Sequence, residues 1–307
     1  MNKKTQRLHI LFLFICAFLW GTAFVAQRMG AEHVGPFTFL AGRSWIAVLF
    51  LTPLLHIMDR FYELRGIDSR QPRNSADRKL LVIGGILCGV MLCAASAAQQ
   101  IGIGYTTASK AGFITALYVV LVPLLSIVLR KRPSPRIWFC VILALIGLYL
   151  LCMKTGSIRL EIGDAWVLAC ALLFAIQILV LDHFSPLLNP FRLSRMQFLV
   201  VAVLSTVLMF LTEHPTAETL RLALPAILYT GIFSSGIAYT FQIIGQDGVN
   251  PTVASLVMSL ESVFSAIFGW IVLHEQMSGR ELCGAGLMFL AIILSQIEFK
   301  PKRSLQQ

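Results

Sequence analysis

The chain has 307 residues, of which 57% are hydrophobic and only 13% are charged, and its formal net charge is +10. Because a soluble domain has about a quarter charged residues, this composition excludes an ordinary water-soluble protein. It predicts an integral membrane protein, and the mean hydropathy of +0.78 agrees.

Ten apolar segments follow one another along the chain, each close to the roughly 20 residues that an α-helix needs to cross a bilayer. We predict membrane-spanning helices at residues 8–26, 36–56, 79–99, 106–129, 136–153, 163–182, 192–211, 222–244, 250–273 and 280–297. The connections are mostly a few residues long, and only residues 57–78 form a longer polar loop. The predicted fold class is therefore an all-α integral membrane protein with ten transmembrane helices.

The first apolar segment follows three basic residues, Lys3, Lys4 and Arg7, which is also how a cleaved signal peptide begins. Two observations favour a retained span. The segment extends beyond a typical signal core, and its removal would leave the second half of the chain without a partner for its own first span. We expect it to stay in the protein.

The sequence contains none of the common motifs of enzymes, metal sites or cofactor-binding sites that we searched for. Its seven cysteines lie in or beside apolar segments without the spacing of metal ligands, so we interpret them as packing residues. We find no phosphate-binding loop, no paired-histidine metal motif and no nucleophile turn of the GxSxG type. We therefore expect no cofactor, no bound metal, no enzymatic activity and no drive from ATP.

The basic residues lie mostly in alternate connections between the spans. One set of connections holds 18 of the 25 Lys and Arg residues, while the opposite set holds five. Because cytoplasmic connections of membrane proteins carry the excess of positive charge, this bias predicts that both termini are cytoplasmic. The same distribution explains the charge of +10 without nucleic-acid binding. It also predicts residence in the inner membrane of a bacterium, in contact with anionic lipid.

The chain contains one pattern twice. Residues 106–134 and 250–278, which are 144 positions apart, each hold a long apolar helix and a short polar turn, and Arg136 or Arg280 then opens the next helix. Further upstream, Pro36-Phe37 matches Pro190-Phe191 at an offset of 154. We predict two repeats of five helices, at residues 1–154 and 155–298, and a cytoplasmic tail at 299–307.

An odd number of spans in each repeat means that the second repeat enters the membrane inverted. The turn at residues 130–136 is strongly basic, whereas the matching turn at 274–280 has lost most of its positive charge. If the two repeats have opposite orientations, one of these matching turns is cytoplasmic and the other is not. The positive-inside bias then predicts that only the cytoplasmic turn is basic. Inverted repeats around a central binding site are typical of secondary transporters.

Several segments resemble one family of transporters. These are Leu-Trp-Gly-Thr-Ala-Phe at 19–24, Leu-Ala-Gly-Arg at 40–43, Thr-Thr-Ala-Ser-Lys-Ala-Gly-Phe at 106–113, and the run at 259–275 with its Glu residues. In order and spacing they resemble the EamA-type transporters of the drug/metabolite transporter superfamily. The chain departs from that family at Ser262, where a proline is common, and at Lys131, where an acidic residue is common. The resemblance implies that four helices of each half line a central cavity, with the fifth and tenth more peripheral.

Three ionisable residues fall inside predicted spans, where they usually face a cavity or a partner. Lys110 lies about four residues into the fourth span, roughly 6 Å deep, and shares a helical arc with Thr115 and Tyr118. That polar arc indicates the wall of an aqueous cavity. The alternative is a lysine that extends to the membrane surface.

Arg43 lies roughly 10 Å deep in the second span, on the same side of the membrane as Lys110 and as Gln99 and Gln100 of the third span. Its guanidinium is suited to bind a carboxylate or phosphate through two hydrogen bonds. The alternative is a structural tie between helices. We predict that Arg43 and Lys110 together bind an anionic group of a substrate.

Glu261 is the deepest charged residue, about ten residues into the ninth span and roughly 15 Å from either membrane surface. A carboxyl in this low-dielectric environment favours its neutral form, which suits a proton carrier. The alternative is a neutral acid that is hydrogen-bonded across helices and packs the interface between the repeats. Trp20 and Tyr239 are further candidates for substrate contacts, although aromatic residues in spans more often pack or anchor helices.

These features favour a secondary transporter, operating as an exporter, for small metabolites or amino-acid-like solutes. Its partners would be the solute and membrane lipid, and the sequence is compatible with a homodimer. A polytopic membrane enzyme acting on lipid is the alternative, but it would need acidic or histidine clusters near the membrane surface. A sensor would need a signalling domain for which the chain has no room.

Overall fold

A computed structural model describes residues 3–66, 68, 70–106, 108–129, 133–152, 162–273 and 278–296. Within these residues the fold is all-helical. The helices are α1 Lys3–Ala31, α2 Pro36–Arg65, α3 Ser75–Gly104, α4 Ala108–Ala116, α5 Tyr118–Val128, α6 Pro135–Cys152, α7 Ile162–Phe184, α8 Pro190–Thr212, α9 Ala217–Tyr229, α10 Tyr239–Gln246, α11 Pro251–Met258, α12 Glu261–Leu273 and α13 Gly279–Gln296. A π-helix, Thr230–Ala238, joins α9 to α10.

Eight helical stretches of the described residues are long and apolar enough to cross a membrane. Two shorter apolar helices, Pro135–Leu150 and Leu282–Ser295, coincide with the fifth and tenth predicted spans. The all-helical membrane fold is therefore confirmed, while the number of ten spans stays a prediction. The first and third helices end later than predicted, at Ala31 and Gly104. Hydropathy falls where glutamines begin, but the helices continue because those polar side chains face the interior.

The fourth and ninth predicted spans are each broken near the middle. The first break lies at Leu117, between α4 and α5, and the second at Ser259 and Leu260, between α11 and α12. The backbone tightens to 3₁₀-type bonds at both breaks. Leu117 N donates to Ile114 O at 3.2 Å, and Leu260 N donates to Val257 O at 3.2 Å. The breaks coincide within about one residue at the repeat offset of 144. The half-helices pack crosswise, α4 against α12 and α5 against α11.

The eighth predicted span changes its winding at mid-length, where nine residues form the π-helix. This segment packs against α2, and Gly231 permits the close approach. A Cβ at Gly231 would lie only 2.9 Å from Arg43 O. A π-helix within an α-helix is frequently found at a functional site. Sequence periodicity gave no indication of it.

The contacts between helices are the same when the two halves are interchanged. The helix α3 of the first half packs against α7 and α8 of the second half. In the same way, the stretch from α9 to α10 of the second half packs against α1 and α2 of the first half. The helix α2 packs against its repeat partner α8, and α6 packs against its repeat partner α13. The helices α6 and α13 make most of their contacts with each other, at the side of the bundle, as the resemblance implied.

Some sequence predictions fall outside the described residues. These are the charges of the two matching turns at 130–132 and 274–277, which include Lys131 and Glu275. The predicted boundary between the repeats, at 154–155, and the predicted tail at 299–307 lie there as well.

Candidate functional site

A narrow cavity lies at the centre of the bundle, where the broken spans cross. Seven of the residues that line it were candidates from the sequence: Trp20, Arg43, Gln99, Thr115, Tyr118, Tyr239 and Glu261. Five others complete the lining: Phe24, Gln27, Phe174, Ile178 and Ser234. Both halves of the chain therefore contribute side chains to one site.

Arg43 projects from α2 into this cavity and is only 2% exposed. Its Nη1 donates to Gln27 Oε1 at 3.1 Å, while its Nε has no hydrogen-bond partner. No acidic side chain of the described residues forms an ion pair with it. A buried charge that lacks a counter-charge is costly, and a guanidinium in this setting can accept an anion as its partner.

The glutamines beside Arg43 hold the neighbouring helices together. Gln99 Nε2 donates to Thr115 Oγ1 at 3.3 Å, which links α3 to α4 within the cavity wall. Gln100 Nε2 donates to Gln27 O at 3.3 Å, so it binds the backbone of α1. Gln100 is buried but is not among the residues that line the cavity. It supports the residue that holds Arg43.

Glu261 is the first residue of α12, directly after the second break, and is 3% exposed. Its Oε1 has no hydrogen-bond partner among the described residues. The Tyr118 hydroxyl lies near enough to interact with this carboxyl, but the geometry is not that of a hydrogen bond. Gly21 lets α1 approach closely, since a Cβ there would lie 2.9 Å from Glu261 O. Tight packing therefore fixes the backbone of Glu261 and leaves its carboxyl facing the cavity.

Aromatic rings form much of the remaining wall. The rings of Trp20 and Tyr239 are 4.7 Å apart at their centroids, and Phe198 packs edge-on against Tyr239 at 5.2 Å. Trp20 Nε1 and the Tyr118 hydroxyl are buried, and neither has a hydrogen-bond partner within the part of the chain that the structure describes. A wall with apolar faces and unsatisfied polar atoms suits a small amphipathic solute.

Lys110 does not join Arg43 in the cavity. Its Nζ lies 2.6 Å from Asp164 Oδ2, and the exposed fractions of the two side chains are 32% and 1%. Thr106 Oγ1 also donates to this carboxylate, at 3.3 Å. Because α4 packs against the beginning of α7, the lysine meets an acid of the second half. The structure thus separates the two cations that the sequence analysis placed in one site.

Two important residues were missed in the sequence. Gln27 lies one position beyond the predicted end of the first span, so it was treated as part of a loop. Asp164 lies second in the predicted sixth span, and an acid at the beginning of an apolar helix was available as a signal. In both cases the boundary of a hydropathy segment hid a polar residue that faces the interior.

One end of the bundle, which we call the N-terminal face because α1 begins there, is held by charged side chains. Arg70 donates to Ser185 O at 3.0 Å and to Asp247 Oδ2 at 2.8 Å. Beside it, Arg192 and Asp59 form an ion pair at 2.6 Å. The contacts of Arg70 connect the loop between α2 and α3 to two turns of the second half, and the ion pair connects α2 to α8.

The opposite face is also tied between the halves. Glu213 accepts hydrogen bonds from Phe37 N at 2.9 Å and from Thr38 N at 2.8 Å. A carboxylate at the N-terminus of a helix is stabilised by the unpaired N–H groups and the helix dipole. The pair of Lys110 and Asp164 lies at this face as well. The cavity is therefore enclosed between two sets of contacts that join the halves.

Comparison with known proteins identifies the architecture. Residues 7–153 and 161–296 each match the model of the EamA-like transporter family. A protein of Archaeoglobus fulgidus described as an uncharacterized transporter is 31% identical over 283 residues, which cover 92% of this chain and 83% of that protein. The uncharacterized transporter YwfM of Bacillus subtilis is 24% identical over 302 residues, which cover 94% of this chain and 93% of YwfM.

A protein crystal structure has the same fold. It superposes with a TM-score of 0.72 and 18% sequence identity, covering 94% of this chain and 96% of that chain. At this identity the similarity concerns the fold alone.

Proposed function

The chain belongs to the EamA-like transporter family, and we propose that it is a secondary transporter that exports small metabolites, amino-acid-like solutes among them. The coarser conclusion, an integral membrane transporter for small molecules, follows from the family and the apolar helices. The proposal adds the direction, the class of solute and the binding residues.

The observation that carries the proposal is the unpaired Arg43 within an aromatic cavity. A guanidinium that has lost its water and has one neutral hydrogen-bond partner gains most from a ligand that brings a carboxylate or a phosphate. Trp20, Tyr118 and Tyr239 offer apolar faces to the rest of such a ligand. We propose that Arg43 binds its anionic group, and that Lys110 acts at the opposite face as a tie between the halves.

Alternating access is supported by the way in which the halves meet. Each half contributes a broken helix to the crossing, and the helix contacts persist when the halves are interchanged. Movement of one half against the other would release the contacts at one face while those at the other face remain. We propose ten spans in two inverted repeats, with the N-terminal face and both termini in the cytoplasm of a bacterial cell.

The proposal is tested by comparing the extracellular metabolites of cells that make the protein with those of cells that do not. Solutes that change selectively are then measured in proteoliposomes with the wild-type protein, with Arg43→Gln and with Arg221→Gln. Arg221 is exposed, so its variant controls for the loss of one positive charge. We expect Arg43→Gln to weaken binding of the anionic solute at least tenfold, because a charged hydrogen bond is lost, while Arg221→Gln behaves as wild type. Unchanged affinity in properly folded Arg43→Gln would refute the proposed site.

A further inference from the structure

The Glu261 carboxyl is not explained by packing between the repeats. A neutral acid that serves as a structural tie would donate a hydrogen bond across helices and accept another. Instead, Oε1 is buried and has no partner among the described residues. The neighbouring serines donate elsewhere: Ser262 Oγ donates to Ser259 O in the preceding turn, and Ser265 Oγ donates to Ala108 O of α4. One oxygen of the carboxyl, Oε1, is therefore buried at the cavity without a hydrogen bond to any described residue.

The other groups that face Glu261 are weaker acids than a carboxyl. They come from α1, α5, α7 and α10, and they are the side chains of Cys16, Tyr118, Cys170 and Tyr239. Of the other helices packed against α12, α4 carries Lys110, which is paired with Asp164, and α6 carries Arg136 in its first turn, which donates to Ser295 O. Thiols and phenols remain protonated at pH values at which a carboxyl exchanges its proton. Glu261 is thus the group of this cluster that can bind and release a proton.

Arg43 and Glu261 line the same cavity without forming an ion pair. Tyr239 is an electrostatic neighbour of both. When Glu261 is ionised, its charge opposes that of Arg43 and repels an anion that approaches. When it is protonated, the cavity retains the full positive charge of Arg43. In a low-dielectric site this difference is felt over many ångströms.

Resting on the proposed function, we propose that Glu261 is a proton-binding site whose occupancy is coupled to that of an anion at Arg43. The carboxylate takes one proton from water at the face where the anion enters, and the carboxyl returns that proton to water at the face where the anion leaves. No other bond changes. Coupling between two sites is reciprocal, so a bound anion favours the bound proton by the same factor. Export of a singly charged anion would then be electroneutral and driven by the sum of the anion and proton concentration gradients.

The experiment measures the protons taken up when a ligand binds to the purified full-length protein. Titration calorimetry is run in two buffers of different ionisation enthalpy with four probes: L-leucine, L-glutamate, citrate and glycerol 3-phosphate. For a probe that binds, we expect uptake of about one proton per ligand and an affinity that rises toward tenfold per unit decrease of pH. Glu261→Gln should bind without proton uptake and without pH dependence. Glu218→Gln, which removes an exposed carboxyl, should resemble wild type.

A second measurement needs no ligand. Infrared difference spectra between about pH 5 and about pH 9 should show a protonated carboxyl that disappears with rising pH, and this signal should be absent in Glu261→Gln. Ligand binding without proton uptake, or a Glu261 carboxyl that stays protonated throughout, would overturn the inference and leave the proposed anion site intact. If the Glu261 signal titrates but Arg43→Gln leaves the ligand affinity unchanged, the result contradicts the proposed function instead.

Discussion

The buried pair of Lys110 and Asp164 gives the sharpest test of how the two halves are joined. Replacing Lys110 by methionine keeps the apolar stem and removes the charge, so the Asp164 carboxylate, which is 1% exposed, loses its counter-charge. We expect Lys110→Met to destabilise the protein and to leave the affinity for the carried solute unchanged, because the lysine lies outside the cavity lining.

The size of the effect follows from the burial of the two partners. Removing one partner of a fully buried ion pair costs about 3–5 kcal/mol. Here the lysine is 32% exposed, so water can reach the carboxylate after the substitution, and Thr106 continues to donate a hydrogen bond. We therefore expect a loss of about 2–3 kcal/mol, which corresponds to a decrease of roughly 3–5 °C in Tm for a chain of this length.

The assay is a double-mutant cycle on purified protein in detergent, with Tm measured for Lys110→Met, Asp164→Asn and the double variant. The double variant should recover most of the lost stability, because the asparagine no longer brings a buried charge and still accepts from Thr106. If the Tm losses of the two single variants simply add in the double variant, the ion pair does not stabilise the contact between the halves. An unchanged Tm together with weaker solute binding would restore Lys110 to the substrate site.

Four further predictions follow from the same structure. Cysteine at position 134 should be labelled only from the cytoplasm, and labelling of Ser134→Cys from outside would contradict both orientation and inversion. Proteoliposomes without ATP should still transport, which uptake of labelled solute will show. A reducible bis-methanethiosulfonate cross-link between Arg70→Cys and Asp247→Cys should stop transport until it is reduced, because the contact between the two side chains, 2.8 Å in the wild type, must open; transport by the cross-linked protein would contradict this. Gly231→Ala should lower stability and solute affinity, since its Cβ would lie 2.9 Å from Arg43 O, whereas Gly286→Ala meets no atom within 4 Å and should behave as wild type in the same measurements.

The general architecture could be predicted because lipid imposes a simple rule on sequence. A spanning segment must be apolar over its length, so the ten segments and their duplication are visible in hydropathy. The family assignment from segments at 19–24 and 106–113 is confirmed by the match over both halves. The breaks at Leu117 and Leu260 and the π-helix were not foreseen, because they change the path of the backbone without changing its hydropathy. Such features depend on the packing of neighbouring helices.

The site could be predicted only in part. Charged and aromatic residues within spans are visible in the sequence, and seven of the candidates line the cavity. Depth along a helix is a one-dimensional measure, however, and it placed Lys110 beside Arg43 because both lie near the same membrane surface. The angular arrangement of helices decides which side chains meet. Here it directs Lys110 to Asp164 and brings Glu261, from the other half, to the cavity that holds Arg43.

The comparison of the two halves indicates where the chemistry of this transporter lies. The scaffold keeps its pairing when the halves are interchanged, yet the cavity charges do not repeat. The position that corresponds to Arg43 is Gln197, which is buried with neither amide atom hydrogen-bonded, and the position that corresponds to Glu261 is Leu117. Each half therefore supplies one ionisable residue that the other half lacks. The cavity charges, unlike the pairing of the helices, are thus specific to one half each, as the proposed roles of Arg43 in binding an anion and of Glu261 in binding a proton require.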